Sequence, residues 1–269
     1  MRQPRKAFRP LRRRIGRAAA CIAAGLLIAG CGSGGSSVPR GNPDARHGAA
    51  AVDSYASVEL LRALLVASSD GYYAGGSADD ARRQLQRARV AYAPLSPRIA
   101  AADPVLQREV TARFDVLARD LRRGIQPDRY RDLANPLTDQ LMDGVSQTLV
   151  KPDARSDPGL RAEALRRVSS RLAATYDAAT SGAGDTTGRL AFQEAWGLWR
   201  RALALTALVK PDLGSQKDTV AGTLNGLRGS AFPEGPTQPD APAAGKVDKA
   251  GIRVLDALTK RFGFDELAQ

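Results

Sequence analysis

Apolar side chains recur every three or four residues along most of this chain. Val58, Leu61, Leu64, Leu65 and Ser68 form one stripe, and Leu85, Ala88 and Tyr92 a second. Leu106, Val110, Phe114, Leu117 and Leu121 form a third, Leu165, Val168, Leu172 and Tyr176 a fourth, and Phe192, Ala195, Trp199 and Leu203 a fifth. This spacing places the stripe on one face of a helix with 3.6 residues per turn. Asp103-Pro104, Asn135-Pro136 and Asp157-Pro158 each read as an N-cap followed by proline at the first helical position. The Asx oxygen satisfies an orphan N–H there, and proline loses no needed donor. Gly124 and Gly144 are candidate stops or weak points. No segment alternates apolar and polar residues with β-branched enrichment, so no strand is predicted. The pattern predicts an all-α bundle of about seven or eight helices.

Two stretches lack the pattern. Residues 31–50 are rich in Gly, Ser, Pro, Asn and Asp and read as a flexible tether, because they bury too little apolar surface to offset ordering. Residues 229–245 hold Pro233, Pro236, Pro239 and Pro242 and read as a linker. The bundle is expected over 51–228, and a last helix over 246–269 carries Ile252, Leu255, Leu258 and Phe262. That helix is a candidate docking element or the closing helix of the bundle. Spans of about 55–124 and 160–228 resemble each other. Tyr73 and its Gly/Ser turn match Tyr176 and its Gly/Ser/Thr turn, Tyr92 falls against Trp196, and both copies close on Leu-Arg. Two related antiparallel helical units account for this repeat.

The N-terminus adds an address. Eight Arg and Lys residues precede an apolar run from Ala18 to Gly30, and no acid occurs before Cys31. The run is shorter than the about 20 residues a membrane span needs. Its end, Leu27-Ile28-Ala29-Gly30-Cys31, resembles a bacterial lipoprotein signal. The resemblance implies a signal peptide over 1–30, cleavage after Gly30, and a lipid on the Cys31 thiol. The protein is thus expected at the cell membrane, lipid-anchored on its extracytoplasmic face. The whole chain carries 40 basic and 28 acidic residues for a net charge of +12, but without residues 1–30 it carries 32 against 28. The basic excess belongs mostly to the leader, and no basic stripe interleaves with aromatics, which speaks against nucleic acid as a partner. Of the two cysteines, Cys21 lies in the leader and Cys31 takes the lipid, so none remains for a disulfide or thiolate metal site.

Candidate chemistry is sparse. The single histidine, His47, falls in the tether, and no nucleophile-elbow, Walker or dinucleotide motif occurs. The chain therefore reads as no enzyme, with no catalytic residue and no metal ligand set. A metal would need oxygen ligands and a hard cation such as iron(III). Asp79-Asp80 is the nearest acidic cluster, and with Ser77 it reads as a helix N-terminus favoured by the helix dipole. Glu109, Asp115 and Glu194 read as solvated or paired with arginines. Tyr92, Trp196 and Trp199 are a candidate ligand or partner pocket between the repeats, with core packing as the other use of such rings. Arg200-Arg201 beside them are candidate partners for an acid or an anionic ligand.

A family resemblance enters through Tyr73 to Gly76 (Tyr-x-Gly-Gly), Ala91-Tyr92, Asp103-Pro104-x-Leu106, Glu109 and Leu121-Arg122 before Gly124. The span from Tyr72 to Gly124 resembles the helical extracytoplasmic region of bacterial high-affinity iron permeases. That family follows its Ala-Tyr pair with glutamates; this chain reads Ala93-Pro94-Leu95-Ser96-Pro97-Arg98, with no acid. The resemblance implies a non-catalytic accessory role in uptake of iron or another metal ion, with a membrane permease or other envelope protein as partner. The alternative is a structural lipoprotein that docks a protein and binds no ligand.

Overall fold

The computed structural model describes residues 41–181, 185–237 and 245–264. The expected leader, the expected cleavage point at Gly30 and the expected lipidation site Cys31 lie outside these residues, as do the first part of the expected tether and residues 238–244 of the expected linker. The described residues all belong to one compact unit. Among the described residues the secondary structure is helical with no strand, as the apolar spacing requires. No described helix is long and apolar enough to cross a membrane.

The helices are α1 (Pro43–His47), α2 (Ala49–Tyr73), α3 (Ala78–Tyr92), α4 (Ser96–Ala102), α5 (Pro104–Arg122), α6 (Pro127–Pro136), α7 (Met142–Leu149), α8 (Pro152–Ser156), α9 (Pro158–Ser181), α10 (Thr186–Val209), α11 (Lys217–Ser230) and α12 (Lys246–Phe262). Helix α2 is the axis of the fold. Val52, Tyr55, Ala56 and Ala63 enter one core with α9, α10, α11 and α12. Val58, Leu61 and Leu65, from the opposite side of α2, enter a second core with α3 to α7. A helix buried on both sides needs apolar residues around its circumference, and α2 has them. Helix α2 turns into α3 through a Gly/Ser segment, and α9 packs along α10; α3 then packs on α5, and α10 on α11.

Two of the three expected proline caps are seen. Asp103 Oδ1 accepts from Val105 N (3.1 Å) and Leu106 N (2.9 Å), and Asp157 Oδ1 from Gly159 N (2.6 Å) and Leu160 N (3.1 Å). Asn135-Pro136 is a correction. Both residues lie in the last turn of α6, and the chain continues through a π turn, Leu137–Leu141, into α7. Pro136 brings no N–H to the i−4 carbonyl, and the wider i→i+5 ladder follows it. Burial of Tyr130, Ala134, Leu137, Met142 and Val145 in one core keeps the segment helical across the break. Gly124 stops α5 with φ at +72°, whereas Gly144 sits inside α7 with Leu106 against it.

The tether also ends earlier than expected. Asn42 caps α1 through Asp44 N (2.9 Å), Gly41 N donates to Phe262 O (2.8 Å), and Pro43 is buried. His47 Nε2 lies 2.8 Å from Asp157 Oδ2, which also takes Arg46 Nε at 3.1 Å. Composition misses this attachment because it is made of polar contacts rather than apolar side chains.

Asp157 therefore serves four partners, Gly159, Leu160, His47 and Arg46. Burial would raise its carboxyl pKa, but hydrogen bonds from His47, Arg46 and Leu160 N–H hold it below the usual carboxylate range. A carboxylate with a depressed native pKa stabilises the fold above its unfolded value of about 3.9, and that contribution is lost as pH falls through the native value. Asp157→Ala is expected to cost about 2 kcal/mol at pH 7, from the lost cap and the lost hydrogen bonds to Arg46 and His47. In thermal melts the gap between wild type and variant closes as pH falls below about 4. Asp157→Asn, which keeps a capping oxygen, should lose roughly half as much.

Candidate functional site

The proposed aromatic pocket is not assembled. Tyr92 is buried in the second core against Phe114, with ring centroids 5.7 Å apart. Trp196 and Trp199 lie in the first core, 4.9 Å apart. The two cores use opposite sides of α2, so the matching repeat positions face different interiors. The indole N–H groups are also spent internally: Trp196 Nε1 donates to Asp70 Oδ2 (3.0 Å) and Trp199 Nε1 to Leu224 O (2.7 Å). These rings are core packing.

The acidic candidates hold arginines. Ser77 caps α3 through Asp80 N (3.0 Å). Asp80 itself is buried and takes Arg189 through both oxygens, at 2.8 and 3.3 Å. Glu194 is buried between Arg87 (2.8 Å) and Arg171 (3.1 Å), Asp115 pairs with Arg89 (2.8 Å), and Glu109 is exposed. Glu163 takes Arg166 at 2.5 and 2.7 Å and Arg167 at 2.8 Å. A cation entering any of these sites would first displace a guanidinium from its carboxylate; Arg87, Arg89, Arg171 and Arg189 are 43–59% exposed, whereas Arg166 would be left buried without its partner, which is costly. No group of three His, Cys, Asp or Glu residues stands together among the described residues.

The arrangement with chemical capacity is a polar cavity of about 250 Å³ beside α2. From α2 it takes Tyr55, Glu59 and Arg62, all buried; Asp143 comes from α7, Arg155 from α8, Arg161 from α9 and Arg201 from α10. Four guanidiniums here meet two carboxylates. Glu59 Oε2 accepts from Arg201 Nε (3.0 Å) and Nη2, while its Oε1 lies 3.5 Å from Arg62 Nε. Arg62 Nη2 also reaches Asp143. Arg155 and Arg161 have no carboxylate partner among the described residues. Each is oriented instead through a backbone carbonyl: Arg155 Nε on Val150 O (3.1 Å) and Arg161 Nε on Arg155 O (2.8 Å). Burial, and Glu59 beside it, push the Tyr55 phenol above its usual range despite Arg161, Arg62 and Arg201, so it remains an O–H donor at neutral pH.

Convergent guanidinium forks plus a phenol O–H suit one thing, a small anion. Arg N–H groups fit carboxylate and phosphate oxygens in pairs, and partial burial strengthens the attraction. Of these residues, sequence reasoning singled out only Arg201. Tyr55, Glu59 and Arg62 do leave a trace, a polar stripe at i, i+4 and i+7 in which Glu59 and Arg62 interrupt an apolar run of the helix. Arg155 and Arg161 leave none, because arginine is abundant throughout the chain. No protein-family model, curated protein or solved structure matches this chain.

Proposed function

We propose that this chain is a membrane-anchored extracytoplasmic lipoprotein that binds a small anionic solute in the Tyr55–Arg161 cavity and performs no chemistry on it. The anchor rests on the lipoprotein-like run ending at Cys31. The ligand class rests on one observation: Arg155 and Arg161 are pre-oriented on backbone carbonyls in a cavity where four guanidiniums outnumber two carboxylates. An accessory role in uptake of iron or another metal ion enters this reading through an anionic chelate rather than a bare cation, since Glu59, Asp80, Glu163 and Glu194 are already engaged by arginines.

The test is a melting series on residues 37–269, the compact unit, with phosphate, succinate, citrate and ferric citrate. A ligand present at a hundredfold excess over its Kd stabilises by about 2.7 kcal/mol, a rise in Tm of about 5–10 °C for a domain of this size. Arg155→Gln with Arg161→Gln should weaken binding at least tenfold, with about the same melting temperature in the absence of anion. An unchanged Tm across the panel, or a double variant that binds as the parent does, would refute the anion reading.

A further inference from the structure

A second concavity, of about 560 Å³, lies between α3 and α5 and is closed at one side by the start of α10. Its floor is apolar: Leu85, Phe114, Ala118 and Leu190, of which Leu85, Phe114 and Leu190 belong to the buried set. Its rim is cationic. Arg82, Arg87 and Arg89 on that rim are neutralised by Asp79, Glu194 and Asp115. Arg83 and Arg122 also line the groove and have no carboxylate partner among the described residues. Unmatched positive charge therefore concentrates where the last turn of α5 meets the first turns of α3. The neutral pair Arg89–Asp115 (2.8 Å) marks the other end of the same apolar floor.

We infer that this groove binds a single anionic amphiphile, a carboxylate or phosphate head on an apolar tail. Three features carry the inference, and none involves the Tyr55–Arg161 cavity. Leu85, Phe114 and Leu190 are already 1–7% exposed, so the apolar wall left open is that of Ala118 and the arginine stems, and covering it is favourable. The two unmatched guanidiniums stand at one end of it rather than around it, which selects a molecule charged at one end. Their forked N–H groups match a carboxylate or phosphate head. A small polar anion would leave the floor wet, and a neutral or cationic amphiphile would leave the charge at Arg83 and Arg122 unanswered.

The experiment uses residues 37–269 and laurate below its micellar concentration. Laurate should bind one to one and raise Tm, whereas acetate and dodecyltrimethylammonium at the same concentration should not. Arg83→Gln with Arg122→Gln should weaken laurate binding at least tenfold; both side chains are exposed, so the fold is retained. Arg155→Gln with Arg161→Gln should leave laurate binding unchanged, which separates this groove from the anion cavity. Equal effects of acetate and laurate would overturn the proposal, as would equal effects of the cationic amphiphile. Loss of laurate binding in the Arg155/Arg161 variant would move the ligand to the other site. Binding to anionic vesicles (phosphatidylglycerol in phosphatidylcholine) without binding to monomeric laurate would assign the arginines to a membrane surface instead.

Discussion

Replacing Phe232 with alanine is expected to destabilise the bundle by about 3–5 kcal/mol, the largest effect of any single change considered. Phe232 is fully buried although it lies in the proline-rich stretch expected to be a linker. Its ring meets Phe192 (5.4 Å), Trp199 (5.5 Å), Tyr176 (5.6 Å) and Trp196 (5.7 Å). Four aromatic neighbours cannot close over the space a phenyl ring leaves, so the cavity term adds to the lost transfer energy. Backbone contacts hold the ring in place. Phe232 N donates to Leu227 O (3.1 Å), and its carbonyl accepts from Gly235 N (3.1 Å) and from Arg228 Nη1. The segment thus straps the aromatic core rather than linking two bodies, and only residues 238–244 of the expected linker lie outside the described residues. A thermal melt followed by tryptophan fluorescence should show Tm falling by about 6–20 °C for a domain of this size. Phe232→Leu should cost about 1.5 kcal/mol or less. A Phe232→Ala protein that melts with the wild type would return the segment to the solvent.

Gly197→Ala should lose about 3 kcal/mol, the upper end of overpacking costs. Gly197 lies where α10 crosses α2. A Cβ there would fall well inside contact distance of the Ala63 carbonyl oxygen, 2.9 Å from Ala63 C and 3.1 Å from Ala67 N. All three are backbone atoms of α2, which cannot rotate away as a side chain does, so the two helices must separate. Separation would loosen both cores, because α2 serves both. Gly222 and Gly226, on α11, are the control: a Cβ on either meets nothing within 4 Å. Gly222→Ala should therefore stabilise by about 0.5–1 kcal/mol, through a less flexible unfolded chain and better helix propensity. Opposite signs from the same substitution, read as shifts in urea midpoint, would isolate the helix crossing as the cause. A Gly197→Ala variant as stable as the wild type would show that the crossing has room to spare.

Where residue spacing speaks directly to local geometry, the sequence was legible. The stripes at 58–68, 106–121, 165–176 and 192–203 are helices with those residues toward the cores, and Asp103 and Asp157 cap as their proline neighbours imply. Asn135-Pro136 failed because burial of an apolar face across the break outweighs a local stop signal. On α12 the periodicity was right and the phase partly wrong. Leu258 and Phe262 are buried with Val247, Ala250, Val254 and Ala257, but Ile252 is 58% exposed. Gly251 faces α9 closely, with Ala173 Cβ 3.3 Å from a Cβ built on it, and the small Ala250 beside it is buried. Hydrophobicity alone gives such residues little weight, so the helix closes the bundle with a different stripe.

The candidate sites divide along the same line. A lipoprotein-like N-terminal run, a helical class and the absence of familiar catalytic motifs follow from composition, order and short spacing, because each depends on residues near one another in the chain. Both cationic sites depend on separation in sequence and proximity in space. Arg62 and Arg201 share Glu59 across 142 positions between Glu59 and Arg201; Arg83 and Leu190 share a groove. With arginine plentiful on nearly every helix, no local pattern marks which ones will lack a carboxylate. That selection is made when α2 is enclosed by α3, α9 and α10, because packing decides which charges are paired, which are buried, and which remain facing an open space.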